Sequence, residues 1–367
     1  MTNVSINSHW DSSGAVGKTA SMPATIPKFS LAQWREGTDQ AAAAGELMAM
    51  CHGVGFFYLV DHGVPNQFLD RYFALLEQFF ALPEATKAKI DKCRSPHFRG
   101  WERVGAELTN NRVDHREQLD VSTENPAYPA GSEPAYLRLD GPNQWLPEHD
   151  LPGFHAAVDE FFTRLGDVAW ELMEVMSVGL SLQRGHLREL FGERPLSFVK
   201  LISYPRTPPG EAGVNAHNDA GFLTLLLQHR VGGLQALGPD GEWIDVNPPQ
   251  GAIIVNIGEM LQAMTGNYFV ACTHRVIATE PRFSSAYFHG PDLRTPLTAL
   301  TLPAQFAEAV AASPRHRSAG FMAKRDELLE GSADIASESA QVFGQQMWNY
   351  YVRSYPEVVG THYPGSV

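Results

Sequence analysis

A mainly β fold, an antiparallel barrel or sandwich with helices on its flanks, is what the sequence predicts, and three observations predict it. Between Ser197 and Phe288 the chain is a succession of short β-rich runs bounded by Gly, Pro, Asp or Asn. Helical periodicity is confined to the stretches before and after that block. Strands and helices do not alternate as βαβ units require, so a doubly wound parallel sheet is not expected.

Residues 1–24, rich in Ser, Thr, Ala and Gly, read as a mobile leader. Residues 25–180 form a helical and strand region that packs on the barrel. Within it, Asp39 to Cys51 and Asn66 to Leu82 have helical periodicity, the second burying Phe68, Tyr72, Leu75, Leu76 and Phe79 on one side. Pro83-Glu84 opens a third helix, since proline suits a first turn. The longest helical pattern begins after Leu151-Pro152-Gly153 and runs toward Leu180, with Val158, Phe161, Leu165, Val168, Leu172 and Met176 as an apolar stripe facing the core. Residues 181–367 carry the barrel and the last helices. Phe222 to Gln228, Gly233 to Leu237, Gly251 to Ile257, Tyr268 to Cys272 and Phe283 to Phe288 are expected strands. Past Pro291 helical patterns return, from Pro303 to Ala311 and from Ser337 to about Arg353. The last of these puts Phe343, Met347, Trp348 and Tyr351 on one face, where core packing is expected. There is no internal repeat.

At 367 residues the chain exceeds the usual size of one domain, but a barrel with appended helices reaches this length as one compact unit. Its 28 basic and 41 acidic residues give a formal charge of −13, which repels nucleic acid and anionic membrane surfaces. Neither is an expected partner; a small-molecule substrate is, on a monomer or homodimer. Cys51, Cys93 and Cys272 fit no zinc spacing and leave one thiol over in any disulfide scheme, which points to a reducing cytoplasm. No apolar run approaches membrane-spanning length, and no signal-peptide pattern opens the chain.

Four polar anchors carry the chemistry: His217 and Asp219 in Ala216-His217-Asn218-Asp219-Ala220, then His274, then Arg282-Phe283-Ser284. On an extended strand residues i and i+2 share a face, so His217 and Asp219 converge while Asn218 points away. His274 follows Asp219 by 55 residues, room for several strands and turns. Two imidazoles and one carboxylate are the donor set of a mononuclear iron(II) site with open coordination positions. An isolated histidine near a strand end is more often a solvent-facing or packed side chain; the ordered set makes the case. Ser284 lies at the same-face position from Arg282, and a guanidinium fork beside a hydroxyl is suited to holding a carboxylate inside a barrel. A small acid that also chelates iron is required, and 2-oxoglutarate fits that description.

Several stretches share a resemblance. Gly53-Val-Gly-Phe-Phe-Tyr-Leu-Val-Asp-His-Gly-Val-Pro65, Arg99-Gly-Trp101, Arg116-Glu-Gln-Leu-Asp120, Gly141-Pro-Asn-Gln-Trp145, Lys200-Leu-Ile-Ser-Tyr-Pro205, Gly232 to Gln235 and His274-Arg-Val276 surround the His-x-Asp and Arg-x-Ser motifs in order. With them the chain resembles the iron(II)/2-oxoglutarate-dependent dioxygenases of the isopenicillin N synthase-like branch, from about Pro27 to about Tyr355. The resemblance implies a double-stranded β-helix, or jelly-roll, core with a helical N-terminal part and a C-terminal helix. It also implies His217, Asp219 and His274 as iron ligands, Arg282, Ser284 and Tyr204 as the co-substrate site, dioxygen as oxidant and ascorbate as a reductant. Arg99, Arg116, Phe222, Thr224 and Phe288 are the expected substrate-lining residues, with His289 at the rim. Oxidation of an unactivated C–H bond, hydroxylation by default, would yield succinate and carbon dioxide. The alternatives are desaturation or ring formation, an oxidase working without 2-oxoglutarate, an ethylene-forming enzyme, and a non-catalytic sensor.

Overall fold

The computed structural model describes residues 25–313, 315–316 and 342–365. The expected leader and the first residues of the expected helix from Ser337 lie outside them. In chain order the elements are β1 (Lys28–Ser30), α1 (Leu31–Glu36), α2 (Gln40–Gly53), β2 (Phe56–Val60), α3 (Asn66–Ala81), α4 (Glu84–Lys87), β3 (Gly100–Glu102), β4 (Leu108–Thr109), β5 (Arg112–Val113) and β6 (Glu117–Ser122). They continue with α5 (Phe154–Gly179), α6 (His186–Glu189), β7 (Phe198–Tyr204), β8 (Val214–His217), β9 (Leu223–His229), β10 (Leu234–Leu237), β11 (Trp243–Asp245), β12 (Ile253–Ile257), α7 (Glu259–Met264), β13 (His274–Val276) and β14 (Arg282–His289). After the barrel come α8 (Ala304–Ala312), α9 (Phe343–Ser354) and α10 (Pro356–His362).

One eight-stranded sheet runs β1-β2-β12-β9-β14-β7-β6-β3, and a four-stranded sheet runs β11-β10-β13-β8. Every pairing is antiparallel except that of β1 with β2. This is a mixed two-sheet jelly-roll with flanking helices. Strand alternation assigns each side chain to one of two layers. The odd residues of β14 meet the helices: Phe283 stacks on Phe80 of α3, the Ser285 hydroxyl bonds Tyr72 of α3 at 2.7 Å, and Tyr287 meets Phe162 of α5 edge-on. Arg282 and Ser284, at the even positions, therefore face the interior between the sheets. The same rule puts Thr224, Asn256, Lys200 and Tyr204 inside, while Leu225, Val255, Val199 and Leu201 join the helix-side core. A smaller apolar cluster between the sheets includes Phe56, Tyr58, Ile202, Tyr204, Val214 and Val276.

The long helix α5 and its stripe follow the sequence pattern: Val158, Phe161, Leu165, Val168, Leu172 and Met176 are all buried. Fully burying such side chains contributes about 1.5–3 kcal/mol each, which holds α2, α3 and α5 against the large sheet. The segment Tyr268 to Cys272 is not the expected strand. Its apolar residues are buried, which is why its composition imitates one, but its N–H groups bond outside any ladder: Val270 to the Cys51 carbonyl at 3.0 Å and Ala271 to the Gln262 side chain at 2.6 Å. The unanticipated helix α7 occupies the preceding stretch.

Candidate metal centre and substrate pocket

His217 ends β8 and His274 opens β13, and the two strands pair with these residues directly opposite each other. Asp219 lies just past the end of β8 rather than on it. Its Oδ1 is 3.5 Å from His217 Nε2 and 3.6 Å from His274 Nε2, and one atom from each residue fits within 4.8 Å of the others. Each ring is oriented through its other nitrogen. His217 Nδ1 donates to the Asn215 carbonyl at 2.8 Å and His274 Nδ1 to that of Cys272 at 3.0 Å. A proton on Nδ1 leaves the Nε2 lone pair facing Oδ1, as a metal ligand requires.

The carboxylate is positioned from its far oxygen. Thr224 Oγ1 donates to Asp219 Oδ2 at 2.5 Å and Asn256 Nδ2 at 2.7 Å, from neighbouring strands where the two residues stand in register. Oδ1 is left for the centre. Close approach matters here: a Cβ on Gly258 would fall 2.1 Å from the Gly221 carbonyl oxygen, so only glycine lets β12 run this close to the turn after Asp219. Asn218, which points away from the centre, ties the two ligand segments together through the Ala271 carbonyl at 2.7 Å and Thr273 at 3.1 Å. Burial works against ionisation of Asp219, but His274, His217 and Asn256 override it and hold the carboxyl well below its ordinary range. Burial and the neighbouring His217 push His274 down to about 4, a neutral imidazole at physiological pH. Although burial opposes it, Asp219 raises His217, so this point of the molecule favours positive charge.

Arg282 and Ser284 form a second polar group in the interior. Arg282 is 1% exposed, lies over the Tyr204 ring at 4.8 Å and donates from Nη2 to Gln228 at 3.3 Å. Among the described residues its Nε and Nη1 have no partner, and neither has the buried Ser284 Oγ. Burial without a carboxylate lowers the guanidinium from its ordinary value, yet it stays charged near neutral pH. A buried cation with two idle donors beside an idle hydroxyl is suited to one carboxylate. The donor chemistry at both places thus fits iron(II) and a dicarboxylic keto acid.

A cavity of about 480 Å³ opens at His217 and Asp219. Phe288 and Arg116 line it, as does His289. Three other expected lining residues do not. Arg99 is wholly buried and donates to the His97 and Leu139 carbonyls at 2.6 Å each. Phe222 packs in the core against Phe191 and Phe343. Thr224 is spent on Asp219. Of the arginines between Arg99 and Arg116, Arg116 belongs to an internal ion network: Glu107 accepts from Arg116 at 2.5 Å and from Lys200 at 3.1 Å, and Lys92 bridges Glu102 and Asp120 at 2.8 Å each. Sequence reasoning missed Asn256 and Lys200, since an amide or a lysine inside a strand has no spacing signature, and it gave Asn218 no part in tying the ligand segments together.

Residues 26–148 match the family model described as the N-terminal region of non-haem dioxygenases in morphine synthesis, and residues 195–291 match the 2OG-Fe(II) oxygenase superfamily. A 2-oxoglutarate-dependent dioxygenase of Dothideomycetidae sp. is 31% identical, the match covering 83% of this chain and 83% of that one. A homoarginine-6-hydroxylase of Arabidopsis thaliana is 28% identical over 66% of this chain and 74% of its own. Among solved structures, a Neurospora crassa protein in complex with alpha-KG and thymine superposes with a TM-score of 0.65 at 25% identity, covering 75% of this chain and 88% of that one.

Proposed function

Because this chain belongs to the iron(II)- and 2-oxoglutarate-dependent oxygenases of the isopenicillin N synthase-like family, we propose that His217, Asp219 and His274 are its iron ligands and that Arg282 and Ser284 seat the far carboxylate of 2-oxoglutarate. The observation that carries the reading is the pairing of three converging donors with an interior guanidinium and hydroxyl of which Nε, Nη1 and Oγ have no partner among the described residues. Bound iron(II) and 2-oxoglutarate would activate dioxygen, the oxidant: one of its oxygen atoms would enter succinate as carbon dioxide leaves, and the other would convert R–H to R–OH.

The chain's own residues bind, orient and exclude water. Asn256 and Thr224 engage Oδ2 of Asp219, so that Oδ1 alone would donate to the iron. Tyr204 is a flat support beneath Arg282. Phe198 and Phe288, stacked at 4.4 Å, together with Met260 and Met347, give the cavity an apolar wall against which a target carbon is held close to the metal. No protein group has to act as general acid or base. The unspent donors of Arg282 favour use of the co-substrate over an oxidase that works without it, and the complete ligand set favours turnover over sensing.

The test is succinate formation from 2-oxoglutarate by the full-length protein with iron(II) and oxygen. Wild type is expected to form succinate only with iron present, and Asp219→Ala to form none. Iron-independent succinate, or undiminished turnover by Asp219→Ala, would overturn the reading.

A further inference from the structure

Helix α9 lies along the cavity. Phe343, Met347, Trp348 and Tyr351 bury one side of it, and the adjoining positions Gln346, Asn349, Tyr350 and Arg353, spaced i, i+3, i+4 and i+7, line the opening. Two helical turns separate Gln346 from Arg353, about 10 Å, so the polar stripe spans the mouth of a small-molecule pocket. Tyr350 pins the helix in place by donating to Glu107 at 3.0 Å.

Three cations reach the cavity wall: Arg116, Lys200 and Arg353. The first two are committed. Arg116 is paired with Glu107 and with Asp114 at 3.1 Å, and Lys200 with Glu107, with Asp120 at 3.3 Å and with the Tyr355 hydroxyl at 2.5 Å. Arg353 meets no carboxylate among the described residues and stands at the open end of the stripe. Further in, Arg116 is itself mostly buried, and its Nε has no partner among the described residues. Phe198, Phe288 and Met260, from outside α9, add an apolar part to the lining. The cavity is therefore amphipathic, cationic at its rim and apolar on its flank, and its volume is that of a site for one small molecule.

We propose that the organic substrate is a small carboxylic acid with an apolar body, whose carboxylate pairs with Arg353 at the rim while the apolar part lies on the Phe198–Phe288 wall and points a C–H bond at the metal. This rests on the iron and 2-oxoglutarate reading above. An exposed guanidinium at a pocket mouth holds a carboxylate in a planar two-point contact that an ammonium does not reproduce.

The experiment is calorimetric titration of the anaerobic full-length enzyme, loaded with iron(II) and 2-oxoglutarate, with hexanoate, octanoate, phenylacetate and 3-phenylpropionate and with the primary amide of each. At least one acid is expected to bind tenfold or more tightly than its amide. That preference should collapse to about twofold in Arg353→Gln and be partly retained in Arg353→Lys. Thermal melts of both variants show whether they are folded. The proposal is overturned if no acid outbinds its amide, or if the preference survives in Arg353→Gln. Binding of 2-oxoglutarate is titrated on the same samples: if wild type fails to take it up, the co-substrate reading falls, whereas uptake without acid preference removes the rim assignment alone.

Discussion

Replacing Arg282 by Met should separate stability from function in opposite directions. Among the described residues the guanidinium is buried with one long hydrogen bond to Gln228 and two donors without a partner. Methionine keeps an unbranched chain against Tyr204 and removes a charge whose burial is uncompensated, so the ligand-free melting temperature should hold or rise. Co-substrate binding should suffer. Hydrogen bonds to charged groups contribute about 1.5–3 kcal/mol each, and the loss of two, taken at the low end, is about 3 kcal/mol, or somewhat over a hundredfold in affinity. At 2-oxoglutarate a hundredfold above the wild-type Kd, wild type gains about 2.7 kcal/mol of stability; the variant, then near its own Kd, gains about 0.4 kcal/mol. With an unfolding entropy of about 2.1 cal/mol/K per residue, that is a rise of about 4 °C against less than about 1 °C. Thermal melts with and without 2-oxoglutarate, in the presence of iron(II) and absence of oxygen, measure both. A variant that melts several degrees lower when ligand-free, or that gains as much from 2-oxoglutarate as wild type, would refute the reasoning.

Two further substitutions test the supports around the site. Asn256→Ala leaves Asp219 Oδ2 with Thr224 alone, and loss of such a supporting bond should weaken iron binding about 10- to 100-fold in a chelator competition; unchanged affinity would show that the amide is not positioning the carboxylate. Glu107→Gln leaves Arg116 and Lys200 short of a shared buried carboxylate and should cost about 3–5 kcal/mol in denaturant unfolding. Burial works to raise Glu107, but Arg116 and Lys200 override it and hold the carboxyl well below its ordinary 4.5. A depressed acid contributes its stability above the unfolded-state value and loses it as pH falls toward the folded one. The gap between wild type and Glu107→Gln should thus stay flat from about pH 8 to about pH 6 and close below about pH 4.5. A gap that widened on acidification would contradict that sign.

The long helices and the ligand set were legible because both are written as spacings. The stripe from Val158 to Met176 has a 3.6-residue period that only a helix satisfies, and His217, Asp219 and His274 stand out as a His-x-Asp pair followed by a distant histidine. Local composition misled at Tyr268 to Cys272, whose buried residues resemble a strand while their N–H groups are met by Cys51 and Gln262, partners distant in sequence or on a side chain. Arg99 misled for the same reason: an arginine in a loop usually reaches solvent, and nothing local announces that two backbone carbonyls enclose it. Thr224 and Asn256 look like ordinary strand positions until β9 and β12 come into register beside Asp219.

The account turns on where one iron atom sits. Anomalous diffraction at the iron edge, from crystals grown without oxygen with iron(II) and 2-oxoglutarate, should place a single peak among His217 Nε2, His274 Nε2 and Asp219 Oδ1, with the far carboxylate of 2-oxoglutarate on Arg282 and Ser284. Iron bound elsewhere, or a co-substrate that leaves Arg282 unpaired, would contradict it.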